Sequence, residues 1–328
     1  MSPRNPAQGG PMMEDALTRQ TAERLIEAAT TAPSLYNSQP WQFVAWPADR
    51  VIEIYADPAR APRRRDPRGR AVHIACGSAL FNLRLAIARA GYEPVARLLP
   101  SPRDPLLLAS VRLAGPYRPR PAERDLYAAI RLVGHGPFTG HPPRGVLVDL
   151  KEAAAVEGAS LRELGPADGL RILPGRATGP DLHRAAGRRV MGRFRPMRDL
   201  SPGPGGRPAS PAGEPGPQLA VISTGAGDRA SWLRAGQAAQ HVLLLATHHG
   251  VRAALLSPAP EAPGGPTHGE IALAGEHPAV ILQFGSGHSR PVTARRPVAQ
   301  VLRVPPPGGR AAARRPGAAP GHRGPLPA

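Results

Sequence analysis

Residues 32–43 read APSLYNSQPWQF, and this dozen decides how the rest of the chain is read. Pro33 stops the helical pattern that precedes it, in which Ala22, Leu25, Ile26 and Ala29 recur at helix spacing from Thr21 onward. Ser34 and Asn37 are short polar residues that bond readily to backbone, or to the edge of a ligand, inside a turn. From the residues alone the stretch is either a plain helix-to-strand turn or a turn that lines a ligand.

Working outward, residues 1–12 are polar and rich in Pro and Gly, as in a loose arm. Residues 51–57 (VIEIYAD) read as a strand, followed by an arginine-rich loop over 60–70. Val72, Cys76, Ala79, Leu80, Leu83 and Ile87 then form one apolar helical stripe, with Gly91 as its stop. Residues 106–113 (LLLASVRL) read as a strand, and GPYRPRPAER at 115–124 is read as a connection to a second half. The second half reads as a helix over 151–164, a strand over 219–224, a helix over 228–249 and a strand over 279–284. Asp228 is a suitable N-cap for the long helix and Gly250 a suitable residue past its end. Residues 200–217 and 304–328 carry Pro, Gly, Ala and Arg without periodicity, as expected of linkers or tails. Both halves mix α and β.

The formal charge is +18, which points first toward nucleic acid or an anionic surface. The type of charge redirects that reading. Lys151 is the single lysine, and the arginine comes with abundant Ala, 37 Gly and 43 Pro, the residues of G/C-only codon families. Aromatics are only 4%, which leaves few platforms for stacking bases, so no nucleic-acid partner is expected. The basic run at 188–198 (RRVMGRFRPMR) is read as a solvated loop. The lone Cys76 forms no internal disulfide, and MSPRNPAQGG lacks the apolar run of a signal peptide, so a cytoplasmic protein is expected. The longest apolar runs, such as 242–246 and 106–109, fall far short of the roughly 20 residues that cross a bilayer, and no membrane span is expected.

The turn at 32–43 resembles the nitroreductase signature. The resemblance extends through YADPARAPRRRDPRGR and HIACGSALFNLRLAI in the first half, and through DRASWLRAGQAAQHVLLLATHHGV and the closing PVTARRP in the second. In this order the pieces resemble the Acg-type branch of the nitroreductase-like FMN flavoprotein superfamily. That resemblance implies an α+β, nitroreductase-like fold of two pseudo-symmetric halves in one chain, residues 13–120 and 121–303, between a disordered arm (1–12) and a disordered tail (304–328). A single chain would then do what a homodimer does elsewhere in the superfamily, and would be a monomer with an internal pseudo-dimer. It implies one FMN between the halves, contacted by Pro33, Ser34, Leu35 and Asn37, with Gln39, Pro40 and Trp41 as the turn's scaffold. A basic phosphate clamp would come from Arg295 and Arg296, whose planar forks suit phosphate oxygens. As bare residues, that arginine pair reads more readily as a solvated patch, and only the resemblance raises it to a clamp candidate. The family's second half opens with an Arg-Arg-His-Thr-type segment, whereas AIRLVGHGPFT at 129–139 is two residues short. Arg131 and His135 are the remaining candidates there.

The implied activity is an FMN-dependent oxidoreductase in which NAD(P)H supplies electrons that pass to a small-molecule acceptor, a nitroaromatic, a quinone or similar. The flavin carries that chemistry, so no catalytic side chain is named. Two other readings stand beside it: a flavin-sequestering or catalytically degraded relative with little turnover, and an arginine-rich nucleic-acid binder. GSG at 285–287 lacks the full dinucleotide fingerprint, and no phosphate loop, nucleophile elbow or cysteine pair occurs. His248 and His249 end a helix without a further ligand at suitable spacing, so no metal is expected.

Overall fold

The protein is described by a computed structural model over residues 17–61, 66–133, 140–164, 218–256, 277–285 and 293–306. Helix α1 (Arg19–Thr30) begins where the Thr18 hydroxyl accepts from the Thr21 backbone N–H at 3.1 Å. It ends just before Pro33, and Leu35–Asn37 forms one short 3-10 turn. Strands β1 (Trp41–Trp46) and β2 (Val51–Ala56) then pair antiparallel, Phe43 opposite Ile54. The alternation in WQFVAW buries Trp41, Phe43 and Ala45 on one face. Helix α2 (Arg70–Arg89) follows the predicted stripe, and the chain leaves it through Gly91 at φ 90°. Strand β3 (Tyr92–Leu98), not anticipated from the sequence, is an edge strand carrying Pro94, a position where no ladder N–H is required. Strand β4 (Leu107–Pro116) completes the hairpin.

The connection read at 115–124 is shorter than expected. β4 runs through Pro116 and helix α3 (Pro121–Ala129) opens on a proline, the residue best suited to a first helical position. The helix expected over 151–164 is also displaced. Helix α4 spans Arg144–Val156, Gly158 at φ 78° turns the chain, and Ser160–Leu164 is strand β5. Its pairing with β6 (Gln218–Thr224), Leu161 opposite Ile222, is non-local, and such pairing overrides local helical spacing. Helix α5 (Arg229–His248) starts as predicted, with Asp228 Oδ1 accepting from Ser231 N at 2.7 Å, and ends before Gly250 at φ 73°. Strands β7 (Arg252–Leu256) and β8 (His277–Gly285) follow, then the short helix α6 (Val298–Val301) and strand β9 (Leu302–Arg303).

The strands form two sheets, β3-β4-β2-β1-β9 and β5-β6-β8-β7. The first sheet shares a core with α1 and α2, the second with α4 and α5. Between them α2 and α5 cross at van der Waals closeness, because Gly77 faces the Leu233 backbone and Gly236 faces the Ile74 backbone. A third apolar cluster, with Phe81, Leu126, Ile130 and Leu244, seats α3 against both helices. Among the described residues α2 alone has the length and apolarity to cross a membrane, and it is buried against the first sheet. β9 joins the first sheet by parallel pairing with β1, Phe43 opposite Leu302, so residues 293–303 cross back over the turn at 32–41.

Candidate functional site

The turn is built by its own short polar residues. Asn37 N donates to Ser34 O at 2.9 Å and Gln39 N donates to Ser34 Oγ at 3.0 Å. Those bonds hold Asn37 (φ 54°) and Gln39 (φ 48°) in the left-handed region, which asparagine tolerates and glutamine rarely visits. Two such residues in three positions mark a segment whose shape is imposed by its surroundings. On its outer side Arg60 Nε donates to Ser38 O at 2.6 Å, so the first arginine of the loop after β2 clasps the turn.

Onto this turn docks the segment Thr293–Pro297, more than 250 residues away in sequence. Asn37 Nδ2 donates to Ala294 O at 3.0 Å, and Arg295 Nη1 donates to Asn37 Oδ1 at 3.1 Å. Arg295 Nη2 donates to Thr31 O at 2.7 Å, taking a carbonyl left without a helical partner just past the end of α1, where the helix dipole favours a cation. Arg296 is held by both its backbone and its side chain. Its N–H donates to Gln39 Oε1 at 2.8 Å, and its Nη1 reaches Gln39 O at 3.3 Å and Asp57 Oδ2 at 3.5 Å.

The charges are unevenly matched. Arg296 has Asp57 as its counter-ion, but every partner of Arg295 among the described residues is a neutral oxygen: Asn37 Oδ1, Thr31 O, and the carbonyl and hydroxyl of Thr293. Burial pulls both guanidinium groups below the usual arginine range. At Arg296 the nearby Arg60 charge acts in the same direction, and Asp57 opposes it. Three buried N–H donors in this neighbourhood, Arg295 Nε, Arg296 Nε and the Trp41 indole, have no hydrogen-bond partner among the described residues. A half-buried cation without a carboxylate, next to unused donors, suits an anionic group rich in acceptor oxygens.

The structure therefore brings together Pro33, Ser34, Leu35, Asn37, Arg295 and Arg296. Arg131 is exposed at the end of α3, and among the described residues no hydrogen bond joins it to the turn or to Arg295. His135, the segments 188–198 and 200–217, and the Ser286–Gly287 part of the GSG lie outside the described residues. His249 Nε2 lies 3.3 Å from Asp149 Oδ2, and among the described residues no three side chains form a metal-binding group. Sequence reasoning passed over Thr31, Arg60 and Asp57. Their part in the site comes from contacts across the fold, and no local spacing announces it.

No protein-family model matches the chain. By sequence it is similar to mycobacterial proteins named as putative NAD(P)H nitroreductases, the Acg protein among them. It is 28% identical over 319 residues to the Mycobacterium tuberculosis protein named "Putative NAD(P)H nitroreductase Rv3131", covering 87% of this chain and 92% of that one. It is 35% identical over 100 residues, 30% of each chain, to the protein of the same organism named "Putative NAD(P)H nitroreductase acg". Among solved structures, a crystal structure described as a putative nitroreductase from Anabaena variabilis superimposes with a TM-score of 0.49 at 12% identity, over 82% of this chain and 88% of that one.

Proposed function

We propose that the chain is an FMN-dependent oxidoreductase that draws electrons from NAD(P)H and passes them to a small acceptor, a nitroaromatic, a quinone or similar. The observation that carries this reading is the docking of Arg295 and Arg296 onto the turn at 33–41, which sets buried, under-used donors beside the signature residues. The names of the mycobacterial relatives support the electron donor and the nitroreductase class. Bound FMN would supply the redox chemistry, and the chain's residues hold and orient it. Arg295 and Arg296 bind its phosphate as one part of the clamp, Arg131 is the candidate for the other part, and Pro33, Ser34 and Leu35 pack beside the ring. Asn37 locks the arginine in place while facing the cofactor. In this reading residues 13–120 and 121–303 are pseudo-symmetric halves, each centred on one sheet and its long helix, with β9 of the second half joining the sheet of the first. The protein works as a single chain in the cytoplasm, where NAD(P)H is supplied.

The purified protein is expected to be yellow and to release FMN on denaturation. Asn37→Ala and Arg295→Ala are each expected to lower flavin occupancy; occupancy unchanged in both would remove this site. A second reading, flavin held with little turnover, is favoured by one observation: both ends of the Asn37 amide are already bonded to Ala294 and Arg295, a closed arrangement. Bound flavin with no NAD(P)H oxidation in the presence of several acceptors would select that reading.

A further inference from the structure

A chain of buried and half-buried hydrogen bonds runs from α5 to Arg295. Gln240 on α5 is 2% exposed, and its Nε2 donates to Asn82 Oδ1 at 2.9 Å. Asn82 lies in the middle of α2 and is fully buried. Its Nδ2 donates to Thr31 Oγ1 at 2.9 Å and to Ala28 O at 3.2 Å. The Thr31 hydroxyl in turn donates to Ala28 O at 2.7 Å, which leaves its oxygen lone pairs for Asn82. The carbonyl of the same Thr31 holds Arg295 Nη2, and Arg295 Nη1 holds Asn37. A buried amide in the middle of a helix is costly, and is retained only where its bonds are made. Here those bonds go to the end of α1 on one side and to α5 on the other.

We propose that Asn82 is a positioning residue for the phosphate-binding arginine: it fixes Thr31 at the end of α1, so that the Thr31 carbonyl aims Arg295, and Gln240 from the other half keys the Asn82 amide. This rests on the reading of Arg295 as a ligand of the FMN phosphate. Thr31 has two jobs on two atoms, its hydroxyl tied to α2 and its carbonyl tied to the arginine. A shift at α2 therefore moves the arginine without touching it. The packing of α5 against α2 sets the pose of the clamp, and the affinity for a phosphorylated flavin depends on contacts between the two halves. The side chains in this chain do not bear on a flavin lacking the phosphate.

The test compares dissociation constants for FMN and for riboflavin, titrated into flavin-stripped full-length protein by fluorescence. Asn82→Leu, similar in size and apolar, is expected to lower the preference for FMN over riboflavin by about tenfold, the size of one misplaced charge-assisted hydrogen bond, with riboflavin affinity little changed. Arg295→Ala is expected to lose more of the preference than Asn82→Leu does, and adding Asn82→Leu to it should cost nothing further. Thr31→Val, a substitution at the half-buried helix end, removes the acceptor of the Asn82 amide and gives the same loss if Asn82→Leu does not fold. Thr31→Ser keeps the hydroxyl and restores the preference. Equal weakening of FMN and riboflavin in Asn82→Leu or Thr31→Val, or an unchanged preference in both, overturns the positioning role while leaving the Arg295 assignment intact. An unchanged preference in Arg295→Ala overturns both.

Discussion

His73 shows how one side chain can set a pH limit on the whole fold. It is 2% exposed in the first turn of α2, with Nδ1 2.6 Å from Gly69 O, Nε2 accepting from Arg229 Nε at 3.0 Å, and Trp232 edge-on to its ring. Burial pushes its pKa down from 6.5 to about 4; the hydrogen bond to Gly69 works the other way, and the Arg229 charge adds to the fall. Between those two values the unfolded chain binds a proton that the folded chain refuses, so the folded state loses stability as pH falls from 6.5 toward 4. At roughly 1.4 kcal/mol per unit the full loss is about 3 kcal/mol. Urea midpoints measured at pH 7 and pH 4.5 are expected to differ less in His73→Gln than in the unaltered protein, and an identical difference would rule out His73 as the source. Nothing in the spacing singled this histidine out, because its environment is made by Arg229 and Trp232, 156 and 159 positions along the chain. Asn37 and Arg295 were different. Both were named from short motifs, and the structure bonds them to each other. Thr31 and Asn82 stayed hidden, since a threonine at a helix end and an asparagine inside a stripe look like ordinary helix residues until their partners are in place.

Among the elements, the crossing of α2 and α5 depends on two residues without side chains. A Cβ placed on Gly77 collides with the carbonyl of Leu233, and one on Gly236 collides with the carbonyl of Ile74. Both obstacles are helix backbone, which cannot rotate away, so the helices would have to separate. In an isolated helix Gly→Ala stabilises by about 1 kcal/mol, whereas overpacking costs roughly 1–3 kcal/mol or more. The second effect wins here because both residues sit at the contact itself. Gly77→Ala and Gly236→Ala are each expected to lower Tm by several degrees in a thermal melt, on the scale of roughly 2–4 °C per kcal/mol for chains of this size class. A raised Tm would mean that the helices are free to part at this point. Both helices were legible, α2 from its apolar stripe and α5 from Asp228 and Gly250 at its ends, because those signals are local. Their glycines were not. β5 was misread as helix and β3 was missed, since what makes each a strand is its partner: β6 for one, β4 for the other.

Across the whole molecule, the C-terminal segment ties the two sheets together. It leaves β8 in the second sheet, lays Thr293–Pro297 over the turn at 32–41, packs Val301 into the first core and adds β9 to the edge of β1. Four things depend on it at once: the proposed phosphate clamp, the orphan carbonyl at the end of α1, the counter-ion of Asp57 and the cover on the β1 edge. An uncovered strand edge presents unpaired N–H and C=O groups and invites association. A chain ending at residue 292 is therefore expected to be flavin-free on purification, to melt earlier, and to self-associate in sedimentation. A chain ending at residue 306 keeps every one of those contacts and is expected to match the full-length protein in flavin content and Tm. Equal flavin content in the two truncations would show that the cofactor is held without Arg295 and Arg296. Flavin lost from both would place an essential contact beyond residue 306, in the stretch whose Pro, Gly, Ala and Arg composition reads as a tail. The sequence made the motif at each end of this arrangement visible, but not that one folds over the other, because a parallel pairing as brief as Phe43 with Leu302 and Val44 with Arg303 has no pattern of its own. The arginines and the buried Val301 beside it hold it in place, and the paired truncations separate that contribution from everything downstream.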